Sequence, residues 1–224
     1  MAKYSEGVFL ENSHMAGLYL ACLSLAKRDV LVAGGGSVAQ RKVAGLLRAG
    51  AQVTVVAPRV CLGLARLRTR LKIRRRAYRA SDLRNRWLVV AATGDPDVNR
   101  KVFEDASRAR VFCNVVDQPE LCTFQVPAVV RRGRLQIGIS TDGASPALAR
   151  NIRRQLEKEY GRRYAQLLDA LHGLRRHFRR KYPDDRPRRR KLLEAFLESS
   201  APALLLKHAA PGEFRREVER WKSL

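Results

Sequence analysis

Gly34-Gly35-Gly36-Ser37-Val38-Ala39 follows a short apolar run and leads into an amphipathic one, and it fits the pattern G-x-G-x-x-A. The chemistry such a loop serves is the binding of a dinucleotide pyrophosphate. Gly34 permits a tight turn, Gly36 lets the backbone approach phosphate, and Ala39 permits close packing of helix on strand. The free N–H groups and positive dipole end of the helix that begins there favour an anion. A glycine-rich turn with no ligand has the same composition, so the flanking elements decide. Val30–Ala33 reads as a buried strand before the loop. Gln40–Ala49 carries Val43, Leu46 and Leu47 at helical spacing after it, closed by Gly50. That setting favours the nucleotide.

Two further positions could carry chemistry. A carboxylate ending the second strand, Gln52–Ala57, would bind an adenine ribose, but here the chain reads Ala57-Pro58-Arg59. Arg59 suits the 2′-phosphate of NADP or is one of many surface arginines, and the residues alone leave NAD and NADP open. Asp117 closes the strand-like run Val111–Val116, at the sheet end where open α/β folds hold ligands. It is a general base, or a turn or cap residue before Gln118-Pro119.

The elements that must position these residues alternate. Cys61–Thr69 reads as a helix, Leu71–Tyr78 and Trp87–Ala92 as strands, and Asp97–Arg108 as a helix. Alternation of this kind predicts a parallel sheet covered on both faces, a Rossmann-type α/β fold. The pattern then changes. Thr123–Arg131 and Arg134–Ser140 read as a hairpin, followed by helices at Ser145–Glu159, Arg162–Lys181 and Arg188–Ser199 and a last stretch ending near Trp221. Leu167, Leu168, Leu171 and Leu174 form one packing face.

Composition bounds the possibilities. The 224 residues are 46% hydrophobic and 29% charged, as in a globular protein. No apolar run approaches the ~20 residues that cross a bilayer. Gly17–Ala26 is apolar but short, and it reads as the first packed segment of a cytoplasmic protein. Cys22, Cys61, Cys113 and Cys122 lack zinc-site spacing and read as reduced, mostly buried side chains. His14, His172, His177 and His208 fall in no ligand pattern, so no metal is expected. Residues 1–14, with Asn12-Ser13-His14 before Met15, look like an expression-tag remnant. The net charge of +24 is spread along the chain, with 25 basic and 11 acidic residues before residue 151 and 20 and 10 after it. Nucleic acid, an anionic membrane or a small polyanion would each respond to such a field.

Five blocks, in this order, carry a resemblance: VAGGGSVAQRK at 32–42, VTVVAP at 53–58, AATGDPDVN at 91–99, NVVDQPELCTFQVP at 114–127 and ISTDGASPALARNIR at 139–153. Together they resemble the precorrin-2 dehydrogenase family, the N-terminal module of siroheme synthase, over roughly residues 15–160. The first block is shared by many dehydrogenases, whereas the NVVD and IST..SP blocks are specific. The resemblance implies a Rossmann domain at 15–118, a strand-exchanged dimerisation region at 119–160 and a C-terminal helical domain at 161–224. It implies a homodimer that oxidises precorrin-2 to sirohydrochlorin with NAD, since Ala-Pro at the second strand end is common in the family. By position, Ser37, Val38, Pro58 and Arg59 would contact the dinucleotide together with Gly34 and Gly36, and Thr93 would border the nicotinamide. Asp117 matches the family's essential aspartate and takes the role of general base. Asn114, Ser140, Thr141, Ser145 and Arg150 would meet the substrate, Arg150 as partner of a carboxylate, although Ser145-Pro146 also suits a helix cap.

A polycarboxylate tetrapyrrole suits a basic protein without invoking nucleic acid. Between Arg59 and Arg86 there are eleven basic residues and one acid, Asp82, and most of that run reads as a solvated face. One departure stands out: the family usually reads S-[ST]-G-G-x-S-P, and Asp142 occupies the first glycine position. No methyltransferase module follows residue 224, so the expectation is the dehydrogenase module alone. Two alternatives remain at this point. One adds sirohydrochlorin ferrochelatase activity in the same pocket. The other is a basic Rossmann-domain regulator that binds nucleic acid, which the charge supports and the absence of a reader motif opposes.

Overall fold

A computed structural model describes residues 17–206 and 211–223. The chain divides after Val126 into two compact units. The assignments made to residues 1–14, including His14, and to His208 lie outside the described residues.

The first unit is built on five parallel strands: β1 (Asp29–Ala33), β2 (Gln52–Val56), β3 (Lys72–Arg74), β4 (Leu88–Ala91) and β5 (Phe112–Val115), in the order β3-β2-β1-β4-β5. Helices α1 (Ser37–Arg48), α2 (Leu62–Arg66) and α3 (Pro96–Arg108) connect them. The expected parallel sheet is present. The central strands are near-continuous runs of Val, Leu and Ala because both faces are covered. Val30, Val32, Val53, Val55, Leu88 and Val90 pack with Ala39 and Val43 of α1 on one face. Leu31, Ala33, Val89, Ala91 and Cys113 pack with Val102 and Ala106 of α3 on the other. Burying each such Val or Leu stabilises by about 1.5–3 kcal/mol, which fixes the register of the strand ends that carry the site.

Three expectations need correction here. Gly17–Ala26 is not a packed segment: Leu18, Tyr19, Leu20 and Leu23 are exposed, and only Leu25 joins the core. Both edges of β1 are taken by β2 and β4, so no place beside it remains for this stretch. Cys22, on the same stretch, is exposed rather than buried. The strand expected over Leu71–Tyr78 shrinks to Lys72–Arg74, because β3 is an edge strand with a single neighbour. Its arginines turn instead to Asp82, which is 1% exposed and accepts from Arg74 Nη1 at 2.8 Å, from Arg76 Nη2 at 2.6 Å and from the Arg79 backbone N–H at 3.1 Å. Burial alone would push the Asp82 carboxyl up, but hydrogen bonds from Arg76, the Arg79 backbone and Arg74 outweigh it and hold it below the usual range. The one acid in the basic run organises its neighbours.

The second unit opens with the hairpin β6 (Ala128–Arg132) and β7 (Leu135–Ile139), paired with Val130 opposite Ile137. Gly133 begins its two-residue turn at φ +57°, as a type II′ connection requires. The first strand starts later than the expected Thr123, since Pro127 cannot donate to a ladder and Thr123 is bound to β5. Helices α4 (Pro146–Glu159), α5 (Arg163–Lys181), α6 (Arg186–Glu198), α7 (Ser200–Leu206) and α8 (Pro211–Ser223) follow, so the final stretch is two helices. Leu167, Leu174, Phe178, Phe196, Leu205, Phe214 and Val218 form the core shared by α5 to α8.

Candidate dinucleotide and carboxylate site

The glycine loop joins β1 to α1. Gly34 has φ +127°, a conformation L side chains rarely adopt, and a Cβ there would run into the carbonyl oxygen of Ala92. A Cβ on Gly35 would strike the carbonyl oxygen of Arg59, whose loop bonds to this one through Cys61 N–H and Gly35 O at 2.8 Å. Around Gly36, by contrast, a Cβ would meet nothing within 4 Å. The first two glycines are therefore required by the fold, and the third faces open space.

Gly36 is also the N-cap of α1, and no side chain caps that helix or places an acid in its first turn. Its leading N–H groups and dipole end stay available to an anion. Ala39, wholly buried, lets α1 lie close on the sheet. Ser37 is exposed and Val38 half-buried at the same helix start. These features fit the pyrophosphate of a dinucleotide. Pro58 and Arg59, both exposed, follow β2, and Arg59 lies over the loop through its backbone.

Thr93 follows β4 and is clamped by Asn99. The Thr93 N–H and hydroxyl donate to Asn99 Oδ1 at 3.2 and 2.7 Å, and Asn99 Nδ2 donates to the Thr93 carbonyl at 3.3 Å. Asn99 is 6% exposed. The sequence placed it in a matching block without giving it a role; an asparagine in the first turn of a helix after Asp95-Pro96 was the available signal.

Asp117 follows β5. Its backbone is left-handed at φ +58°, a region Asp tolerates better than most residues, and it stands in the turn before a short 3-10 segment, Pro119–Leu121. Its side chain caps nothing: that segment has Gln118 at its cap with no side-chain bond. The Asp117 carboxylate is exposed and forms no hydrogen bond or ion pair among the described residues. The capping alternative therefore lacks its bond, and a free carboxylate is left at the carboxyl end of the sheet.

Asn114, on β5, is 6% exposed, with its amide engaged inside the unit. Its Oδ1 accepts from Lys42 Nζ at 3.1 Å, and its Nδ2 donates to Phe124 O at 3.1 Å. Lys42 belongs to the glycine-loop block but was assigned no role from sequence, because a lysine on an amphipathic helix is ordinarily a solvated residue. Here it is half-buried, and burial first, then Arg41, lowers its pKa from the ordinary lysine value against the opposing charges of Cys122 and Asp117. Gly34, Gly36, Ser37, Val38, Pro58, Arg59, Thr93, Asn114 and Asp117 thus share one end of one parallel sheet.

Ser140, Thr141, Ser145 and Arg150 belong to the second unit, between β7 and α4 and on α4 itself. Ser145 is the N-cap of α4, its hydroxyl accepting from Leu148 N–H at 3.1 Å with Pro146 at the first position. Thr141 Oγ1 accepts from Ser145 N–H at 3.1 Å and Ser140 Oγ from Asp142 N–H at 3.2 Å. Arg150 is exposed. Asp142 sits at φ +51°, a conformation that suits the glycine of the family pattern and that Asp tolerates.

Among the described residues no cluster of His, Cys, Asp or Glu could hold a metal ion, and no helix is long and apolar enough to cross a membrane.

Comparison with known proteins accords with this geometry. A family model for NAD(P)-binding domains matches residues 21–128, and one described as sirohaem biosynthesis protein central matches residues 132–159. The siroheme synthase of Thioalkalivibrio sulfidiphilus is 41% identical over 186 residues, 82% of this chain and 38% of that protein. That of Methylococcus capsulatus is 36% identical over 215 residues, 90% of this chain and 45% of the relative. The chain thus spans less than half the length of these curated relatives. The solved structure of SirC, a precorrin-2 dehydrogenase, matches with a TM-score of 0.74 and 32% identity, covering 91% of this chain and 100% of that one. Parallel sheet, bare helix start and free strand-end aspartate therefore belong to a chain of the precorrin-2 dehydrogenase family, with a nicotinamide-dinucleotide fold in its first unit.

Proposed function

We propose that this chain oxidises precorrin-2 to sirohydrochlorin, with NAD as the hydride acceptor and Asp117 as the general base. The observation that carries this reading is the unpartnered Asp117 carboxylate, at the same sheet end as a helix start left bare for a dinucleotide. Gly36, Ser37 and Val38 hold the pyrophosphate by backbone N–H groups, Pro58 and Arg59 flank the adenosine, and Thr93, fixed by Asn99, borders the nicotinamide. The dinucleotide supplies a two-electron acceptor when bound. Asp117 would take the proton that the macrocycle gives up alongside the two electrons, so electrons and protons balance.

NAD is favoured over NADP because the second strand ends Ala57-Pro58, a pair common in the family. Substrate carboxylates are the partners of Arg150 on α4, with Ser140, Thr141 and Ser145 on the loop that leads into that helix. Asn114, expected to meet the substrate, has its amide taken up by Lys42 and Phe124 and supports the Asp117 loop. A strand-exchanged homodimer in the cytoplasm, with the dinucleotide domain over 15–118, the dimerisation region over 119–160 and the helical domain over 161–224, completes the reading.

The test is anaerobic turnover of enzymatically made precorrin-2 with NAD⁺ and, separately, NADP⁺, followed by sirohydrochlorin absorbance. Turnover with NAD⁺ that Asp117→Ala abolishes, with NAD⁺ binding retained, supports the assignment. A folded wild-type protein inactive with both nucleotides would contradict it and favour the nucleic-acid-binding alternative.

A further inference from the structure

The Asp117 loop is held by side chains that a dehydrogenase reading does not itself require. Leaving β5 at Val115, the chain passes through Asp117 and returns along the strand at Thr123. Thr123 Oγ1 accepts from Cys113 N–H at 2.7 Å, and Thr123 N–H donates to Cys113 O at 2.8 Å. Inside this loop the Cys122 thiol lies 3.2 Å from both Val115 N and O and 3.3 Å from Gln118 O, closing the turn that carries Asp117. Asn114 Nδ2 reaches the same sulfur at 3.4 Å and Phe124 O at 3.1 Å. These bonds use the amide's donors, so its Oδ1 must face another donor.

That donor is Lys42 Nζ, 72 residues away on α1, at 3.1 Å. It is half-buried and makes no ion pair among the described residues, although a buried ammonium ordinarily requires a carboxylate. Lys42 thus ties α1, the helix with the uncapped N-terminus, to the loop whose tip is Asp117. We propose that Lys42 is a positioning residue for the reaction: through Asn114 and Cys122 its ammonium holds the Asp117 carboxylate in register with the dinucleotide helix. This rests on the proposed function and deepens it. Without the ammonium the buried Asn114 oxygen loses its donor, the amide is free to turn, and the loop loosens beneath the carboxylate.

The loss falls on chemistry rather than on nucleotide binding. In Lys42→Met, kcat for precorrin-2 drops by about tenfold to hundredfold, the range associated with misplaced catalytic groups, while KM for NAD⁺ stays within about twofold. Lys42→Arg, which keeps charge and donor, recovers most of kcat. The pH profile supplies a readout that packing alone would not move. Burial and Arg41 push the ammonium below the ordinary lysine range, with Cys122 and Asp117 opposing, so wild-type kcat falls on the alkaline side as the ammonium is lost. Lys42→Arg keeps its charge there and loses that decline.

The experiment is steady-state turnover of wild type, Lys42→Met, Lys42→Arg and Lys42→Gln from neutral to alkaline pH, with NAD⁺ binding and melting temperature measured alongside. Wild type without turnover overturns the functional reading itself. Active wild type with an unchanged kcat in Lys42→Met overturns the role of Lys42, as does a Lys42→Arg profile that declines as the wild type does. Where Lys42→Met does not fold, Lys42→Gln, which keeps a donor without charge, decides: wild-type kcat and pH profile in that variant refute the need for the ammonium.

Discussion

Two loops in this molecule do the same geometric work, leading a strand into the N-terminus of a helix, and they leave that N-terminus in opposite states. Gly34–Gly36 opens α1 with no side-chain cap, no acid in its first turn and empty space at Gly36. Ser140–Ser145 opens α4 with a serine cap on Leu148 N–H, proline at the first position and further bonds from Thr141 and Ser140 to the loop backbone. A helix start that its own chain satisfies is a structural joint; one left bare has capacity for a ligand anion. The difference also separates what substitutions do at each place.

The largest effect is expected in the first loop. Gly34→Ala must accommodate both a positive φ and a clash with the Ala92 carbonyl. It should cost about 3 kcal/mol or more, seen as a large loss of melting temperature in thermal denaturation. At the second loop Ser145→Ala removes one cap, for about 1 kcal/mol and a fall in melting temperature of about 2–4 °C. NAD⁺ affinity by titration should remain that of the wild type, and a fall would show that the loops are not separate in use. The smallest change is Asp142→Gly, which relieves a left-handed aspartate and should stabilise by a few tenths of a kcal/mol to about 1 kcal/mol in denaturant unfolding.

The first of these loops was legible in the sequence because its requirement is steric and local. Glycines between a buried strand and an amphipathic helix have few other uses, and Asp117 after an apolar strand indicated the same sheet end. What the sequence did not disclose depends on contacts between distant residues. Lys42 reads as a surface lysine until β5 brings Asn114 to it, and Asp82 reads as a lone acid in a basic run until three arginines close around it. Leu71–Tyr78 has the composition of a strand, but an edge with one neighbour pairs only Lys72–Arg74. Gly17–Ala26 is apolar enough for a core, yet β1 has no free edge to receive it.

If the bare start of α1 holds the dinucleotide, Gly36→Asp must weaken that binding without harming the fold. The position has φ −84°, ψ −173° and room for a side chain, so aspartate there should cap the helix as Ser145 caps α4. Melting temperature and NAD⁺ affinity are measured on the same preparation. A melting temperature equal to or above that of the wild type is expected together with at least about tenfold weaker NAD⁺ binding, as the carboxylate occupies the N–H groups and repels the pyrophosphate. Unchanged NAD⁺ affinity in a folded Gly36→Asp protein would contradict it.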